Sequence, residues 1–242
     1  VINGILLIDK PAGWTSHDVV KKVKNLLHLK KAGHAGTLDP MATGLLLLCL
    51  NQATRHATCL LAADKTYLAS LSLGRATDTE DSEGRVIRER PVPLLSLDKI
   101  KDVLEGFMGT IEQIPPMYSA IKHQGRPLYQ WARAGKTIER LPRPITINQL
   151  KLLKYSPNRI DLYIECSKGT YIRSLVVAIA EKLGTVGHLT QLRRMRCGDF
   201  VVEKAISIQD LEREVKNGEF DEEKRVIALE NKALQTKTAM LA

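Results

Sequence analysis

The sequence predicts an α+β fold, with a mixed and mainly antiparallel sheet flanked by helices. Three observations carry that reading. Runs such as "KTYLASLSLG" at 65–74 alternate side chains with the two-residue period of a strand. Other stretches place apolar residues three and four apart, the spacing of a helix buried along one stripe. Short turns join most of the expected strands, which suits antiparallel neighbours.

Taken in order, Ser16 is the expected N-cap of a helix whose stripe is Val19, Val20, Val23, Leu26 and Leu27. Lys21, Lys22, Lys24, Lys30 and Lys31 lie mostly opposite that stripe or just beyond it. Leu45–Leu50 reads as a buried strand and residues 54–63 as a short helix. The strand at 65–74 puts Tyr67, Ala69, Leu71 and Leu73 on one face. After the acidic turn "TDTEDSEG", a strand near 85–90 is expected as its hairpin partner. Ser96 opens a helix with Ile100, Val103, Leu104 and Phe107 inside. Residues 109–144 break the regularity and read as an excursion. Strands near 145–154 and 159–167 follow, joined by "SPNR". Next comes a helix burying Ile172, Leu175, Val176, Ile179 and Leu183, and then an arginine-rich loop and strand at 187–200. The expected division is a domain at 1–205 carrying the 109–144 insertion, followed by an acidic helix and tail at 206–242.

Composition narrows the function. The chain has 242 residues, 44% of them hydrophobic, a normal share for a globular protein. No apolar run approaches the roughly 18 residues that a membrane span needs. The first residues, "VINGILLIDKPAGW", lack the basic start of a secretory signal. Cys49, Cys59, Cys166 and Cys197 form no CxxC pair, so free thiols and a cytoplasmic location are expected. Histidines with no ligand spacing predict no metal. The net charge of +9 is uneven. Residues 206–242 hold six basic and eight acidic groups, which leaves residues 1–205 at +11 and points to a nucleic-acid backbone. Within Met117–Arg143 six cations face one acid, with Tyr118, Tyr129 and Trp131 between them. That mixture suits irregular RNA, because cations hold phosphates and aromatic faces stack on unpaired bases. A surface excursion with locally packed aromatics is the plainer alternative.

The stretch "AGHAGTLDPMATG" at 32–44 surrounds one carboxylate, Asp39, with three glycines and Pro40. Glycine reaches backbone shapes closed to other residues, and proline restricts itself and its predecessor. Such a loop presents one side chain in one direction. Tyr171 and Arg173 flank the apolar Ile172 at a helix start, and an arginine beside a core stripe calls for a carboxylate. A nearby surface acid and Asp39 are both candidates. An ionised carboxylate is suited to act as nucleophile or base. Serine hydrolysis lacks its GxSxG elbow, zinc deamination lacks its ligands, and glycosidases want two acids.

Nine ordered blocks then resemble the bacterial tRNA pseudouridine-55 synthase (TruB-type) family: "DKPAGWTSHDVV", "GHAGTLDPMATG", "ATR", "DKTYLA", "DTEDSEG", "PPMYSAIKHQGRPLYQWAR", "RPITI", "SKGTYIRSL" and "LRR". The resemblance implies the pseudouridine synthase fold and isomerisation of uridine 55 in the T-arm loop of tRNA. The base flips out, its bond to the ribose breaks, and it rejoins through C5, with neither cofactor nor metal. It makes Asp39 the catalytic carboxylate, with nucleophile and base as alternative roles. It gives Tyr67 the place stacked on the base, as a candidate proton relay. Arg173 holds Asp39 ionised, Tyr171 and Leu192 line the uracil pocket, and His34 helps to extrude the nucleotide. Residues 109–144 become a mobile thumb, and Arg55, Lys122, Arg126, Arg133, Arg193 and Arg194 the RNA-binding cations. The expected partner is the tRNA T-arm stem-loop, bound by a monomer away from membranes. The family's small C-terminal RNA-binding domain is not expected here, and Asn51 replaces a usual glycine. A tRNA-binding folding factor and a guide-RNA-dependent synthase are the alternative functions.

Overall fold

The computed structural model describes residues 2–228. Its elements run β1 (Gly4–Lys10), α1 (Ser16–Leu26), β2 (Ala32–Ala35), β3 (Thr43–Leu50), α2 (Ala57–Leu61) and β4 (Lys65–Leu73). They continue with β5 (Arg75–Thr77), β6 (Val86–Glu89), α3 (Leu97–Glu105), β7 (Gly109–Gln113), β8 (Lys122–His123), β9 (Arg126–Pro127) and α4 (Leu128–Arg133). Then come β10 (Arg143–Ser156), β11 (Arg159–Cys166), α5 (Ile172–Lys182) and β12 (Gly187–Cys197). The last are β13 (Phe200–Val201), β14 (Ile206–Ser207), α6 (Ile208–Asn217), α7 (Glu222–Arg225) and β15 (Val226–Ile227). Most strand pairs among the described residues are antiparallel, with β1–β14 and β3–β12 parallel. The mixed α+β class therefore stands.

The chain packs as two compact units. The first takes the described residues up to Tyr67 and from Arg193 onward. Its centre is β3, "TGLLLLCL", whose last seven residues are buried. β1 lies antiparallel along the whole of it, from Gly4 opposite Leu50 to Lys10 opposite Gly44. On its other edge β2 covers only the far half, Ala32 opposite Leu50 through Ala35 opposite Leu47. Where β2 stops, β12 enters in parallel, setting Arg193 beside Thr43 and Arg194 beside Gly44. β2 and β3 are thus a hairpin whose long connection is the Asp39 loop. Ile5, Leu7, Leu45, Leu47, Cys49 and Cys197 pack in the core beneath it.

The second unit, Leu68–Leu192, is built on strands ordered β12-β4-β11-β10-β7. β10 and β11 form a hairpin that turns between Ser156 and Arg159. α5 buries Ile172, Leu175, Val176 and Ile179, as its stripe predicted. Ile100 and Leu104 of α3 are buried too.

Four expectations need correction. The cap of α1 is Thr15, not Ser16: its hydroxyl accepts from the Asp18 amide while the Asp18 carboxylate takes the Thr15 amide, a reciprocal capping box. The strand at 86–89 pairs with β5, because the chain turns at Gly74 (φ +95°) before the acidic loop. The expected helix at 54–63 divides into a 3₁₀ turn, Asn51–His56, and the shorter α2. The excursion is shorter than 109–144 at both ends, since Gly109–Gln113 and Arg143–Ile147 pair as sheet strands and leave residues 114–142 outside. Of the expected 206–242 segment, α6 begins at Ile208 behind a Ser207 cap, and residues 229–242 lie outside the described ones.

A backbone prediction follows from the β3–β12 register. Gly44 sits at φ +98°, and a Cβ there would come within 2.3 Å of the Arg194 carbonyl oxygen. Gly13 also has positive φ (+79°), yet a Cβ there meets nothing within 4 Å. Gly13→Ala is expected to lose about 1 kcal/mol for the left-handed backbone alone. Gly44→Ala must also displace a strand and should lose at least ~3 kcal/mol by urea unfolding.

Candidate active site

In the first unit the Asp39 loop leaves β2 at Gly36 (φ +93°) and rejoins the sheet at Thr43. Its backbone is tied at nearly every step. The Ser16 hydroxyl donates to the Leu38 carbonyl at 3.0 Å and accepts from the Leu38 amide at 2.8 Å. The Ala42 amide closes the turn onto the Asp39 carbonyl at 3.0 Å, and the Gly13 amide donates to the Pro40 carbonyl at 2.9 Å. Two buried cations complete the clamp. Lys10, 0% exposed, sends its ammonium to the carbonyls of Pro11 (2.8 Å), Trp14 (2.6 Å) and Pro40 (3.1 Å). Arg194, 1% exposed, donates from Nε to the Leu45 carbonyl (2.7 Å) and from Nη2 to the Gly36 carbonyl (3.0 Å). Leu38 and Ala42 are buried, and Asp39 between them is half-buried.

The other sites expected in this unit fall on regular elements. His34 lies on β2, its Nδ1 buried and without a hydrogen-bond partner. Burial first, then the Arg194 and His17 charges, push its pKa below the ordinary histidine value, so the ring is neutral at neutral pH. A neutral imidazole offers a flat face rather than a charge. Tyr67 is buried on β4. Arg55 is exposed on the 3₁₀ turn. The expectation for Arg194 is corrected: a guanidinium this deeply buried and spent on backbone carbonyls cannot reach a phosphate. Arg193 is also engaged, with Nη1 and Nη2 on the two carboxylate oxygens of Asp9 at 2.9 and 2.7 Å.

In the second unit Tyr171 caps α5, and its backbone is gripped by Gln113 of β7. The Tyr171 amide donates to Oε1 at 2.8 Å, and Nε2 donates to the Tyr171 carbonyl at 3.0 Å. Arg173, in the first turn of α5, is 4% exposed. Its Nη1 donates to the Thr79 carbonyl (3.0 Å), its Nη2 to the Tyr118 carbonyl (2.8 Å), and its Nε faces Asp81 Oδ2 at 3.7 Å. Asp81 is buried as well, its Oδ1 accepting from the Thr79 hydroxyl (2.6 Å) and the Glu83 amide (3.0 Å). Arg173 therefore fastens the acidic turn and the start of the excursion to one helix end. Leu192 is buried on β12.

Lys122, Arg126 and Arg133 of the excursion are exposed. The aromatics among them are already in use. Arg126 lies 5.0 Å and Lys136 5.7 Å from the Trp131 ring centre, and Arg133 lies 5.5 Å from that of Tyr129. These faces pack locally against the segment's own cations. Sequence reasoning missed Lys10, Ser16, Gln113 and Asp81 as parts of the site. The signal for Asp81 was present in "TDTED", where a threonine two residues before an acid forms a local turn.

Two family models match adjoining stretches of the chain. Residues 24–172 match the TruB family pseudouridylate synthase (N terminal domain), and residues 173–235 the tRNA pseudouridylate synthase B C-terminal domain. The tRNA pseudouridine synthase B of Aeromonas salmonicida is 49% identical over 211 residues, covering 87% of this chain and 66% of that protein. That of Coxiella burnetii is 47% identical over 213 residues, covering 88% of this chain and 69% of that protein. The chain thus spans about two thirds of the length of the curated relatives it matches. Among solved structures, the crystal structure of a Cbf5-Nop10-Gar1 complex superposes with a TM-score of 0.73 at 33% identity, over 93% of this chain and 59% of that one. The expectation of a cytoplasmic protein is corrected: these relatives are bacterial, and their names give an activity with no compartment. With two adjoining models covering most of its length and relatives near half identity, the chain belongs to the TruB family of pseudouridylate synthases.

Proposed function

We propose that this chain isomerises uridine 55 in the T-arm loop of tRNA to pseudouridine, acting as a monomer without cofactor or metal. The observation that carries the reading is the Asp39 loop, whose backbone Ser16, Lys10 and Arg194 fix around a half-buried Asp39. The names of the bacterial relatives support the substrate. Asp39 is the catalytic carboxylate. In the reaction the N1–C1′ bond of the flipped uridine breaks and a C5–C1′ bond forms. The C5 proton departs to solvent and N1 gains one, so atoms and electrons balance without a co-reactant. Arg173 stiffens the start of α5 through the Thr79 and Tyr118 carbonyls and Asp81. Tyr67 stacks on the base, Tyr171 and Leu192 line its pocket, and the neutral His34 ring stacks within the opened RNA loop. Extruding the base costs a few kcal/mol, and stacking with phosphate contacts offsets it. Arg55, Lys122, Arg126 and Arg133 hold phosphates.

Transcribed tRNA tritiated at uridine C5 tests the chemistry. Wild type is expected to release label, and Asp39→Asn to release it about 10³-fold more slowly or not at all. Release by Asp39→Asn at the wild-type rate would end the assignment. Binding without release would favour a tRNA folding factor, and release from bare tRNA excludes dependence on a guide RNA.

The electrostatic part has its own measurement. Binding of a T-arm hairpin should weaken at least ~10-fold between about 50 and 200 mM salt, because phosphate contacts release counterions. Arg126→Gln and Arg133→Gln should each lower the slope of log affinity against log salt by about 1. A slope unchanged in both variants would remove those residues from the interface.

A further inference from the structure

Between Val19 and Ala63 the chain carries six lysines and arginines and a single carboxylate, Asp39, with no phenylalanine, tyrosine or tryptophan. The function proposed above uses one of those cations, Arg55, and leaves Lys21, Lys22, Lys24, Lys30 and Lys31 without a task.

The first unit spreads these charges outward from the Asp39 turn. α1 starts beside that turn, where Ser16 holds Leu38, and its 11 residues carry it about 16 Å away at ~1.5 Å each. Val19, Val20 and Val23 are buried, while Lys21 and Lys24, three apart and so on one face, are exposed. Lys22 is paired with Glu212 of α6. The helix then closes on itself: the His28 amide donates to the Asn25 carbonyl (3.3 Å) and the Leu29 amide to the Lys24 carbonyl (2.9 Å). His28, at φ +49°, takes the left-handed place in this cap that glycine usually fills. Leu29 is buried behind it, and Lys30 and Lys31 emerge exposed.

Asn51 fixes where they emerge. Its Oδ1 accepts from the Lys31 amide (3.0 Å), and its own amide donates to the Lys31 carbonyl (2.8 Å). Four residues on, the exposed Arg55 lies on the 3₁₀ turn whose Thr54 sits beside Gly33 of β2. This group stands at the far end of β3 from the catalytic turn. Ala32 pairs with Leu50, Gly44 adjoins the Asp39 loop, and six steps of roughly 3.3 Å put about 20 Å between those two ends.

Among the described residues no ion pair engages Lys21, Lys24, Lys30 or Lys31. Asp18, the acid closest to Lys21 in the chain, already accepts from the Thr15 amide and hydroxyl. The surface therefore presents uncompensated positive charge. Cations with no aromatic face among them suit the phosphates of a paired stem rather than unpaired bases, which need stacking.

We propose that Lys21, Lys24, Lys30 and Lys31, continuing to Arg55, form a phosphate-binding strip for a base-paired RNA stem that leads away from the nucleotide held at Asp39. That this RNA is tRNA rests on the function proposed above. The strip holds the stem by charge and reads no sequence.

The test uses the full chain with Lys21→Gln/Lys24→Gln, Lys30→Gln/Lys31→Gln and the quadruple variant, against T-arm hairpins with a short and a lengthened stem. All four side chains are exposed, so they can be exchanged without disturbing the fold. By filter binding, each pair is expected to lower the slope of log affinity against log salt by at least ~1, and the quadruple variant by about the sum. Wild type is expected to prefer the lengthened stem, and the quadruple variant to bind both hairpins alike. A slope unchanged in the quadruple variant, or a preference for the lengthened stem kept in full, would overturn the strip. So would wild-type RNA binding by that variant together with lost binding of polyglutamate, which would assign the surface to an acidic protein. Hairpin binding by wild type without tritium release would sink the proposed reaction, and a lowered slope would still support the strip. Tritium release with an unchanged slope would sink the strip alone.

Discussion

A buried ammonium and a buried guanidinium, both answered by backbone carbonyls, are what the Asp39 turn depends on. Lys10 and Arg194 come from opposite ends of the chain and converge on the connection between β2 and β3. Removing such charges from water is costly, and the cost is met only if every donor finds an acceptor in good geometry. That requirement works in reverse on the loop. Its carbonyls at Gly36, Pro40 and Leu45 must stand where the two cations can reach them, which leaves the turn one arrangement. Hydrogen bonds to charged donors contribute roughly 1.5–3 kcal/mol each, about twice those between neutral groups. The clamp thus supplies the rigidity that a glycine-rich loop lacks by itself.

The second unit solves a similar problem with side chains rather than carbonyls alone. Arg173 is buried at a helix start, where the local dipole disfavours a cation. It is tolerated because Asp81 faces it and two carbonyls accept from its terminal nitrogens. Asp81 is satisfied in turn by Thr79 and by the Glu83 amide. The result is a stiff base for the excursion, and Gln113 performs the same service for the Tyr171 backbone. Surface cations such as Arg126 and Arg133, resting on Trp131 and Tyr129, are by contrast solvated and free to exchange partners.

What could be read from the sequence was whatever depends on neighbours in the chain. The α5 stripe, the β10–β11 hairpin and the buried β3 run follow from local periodicity, and the structure has them where periodicity puts them. Asp39 was legible because glycine and proline leave a local trace. The clamp was not, because Lys10 meets Pro40 across 30 positions and Arg194 meets Leu45 across 149. A lysine in a run such as "LLIDKP" looks like a strand end until its acceptors are known. The ends of the excursion were misplaced for the same reason: β7 is a strand only by virtue of β10. Thr15 and Ser16 both carry capping hydroxyls, and Ser16 is needed inside for Leu38.

Residue order also sets the timing of assembly. The first unit is closed by β12, so β1, β2 and β3 leave the ribosome long before the arginine that locks their longest connection. Contacts so distant in sequence are late and slow to form. A nascent chain that has made only its first half holds Asp39 on an unlocked turn. Competence for catalysis would then arise only after β12 has been made, which spares shorter nascent chains from engaging RNA productively.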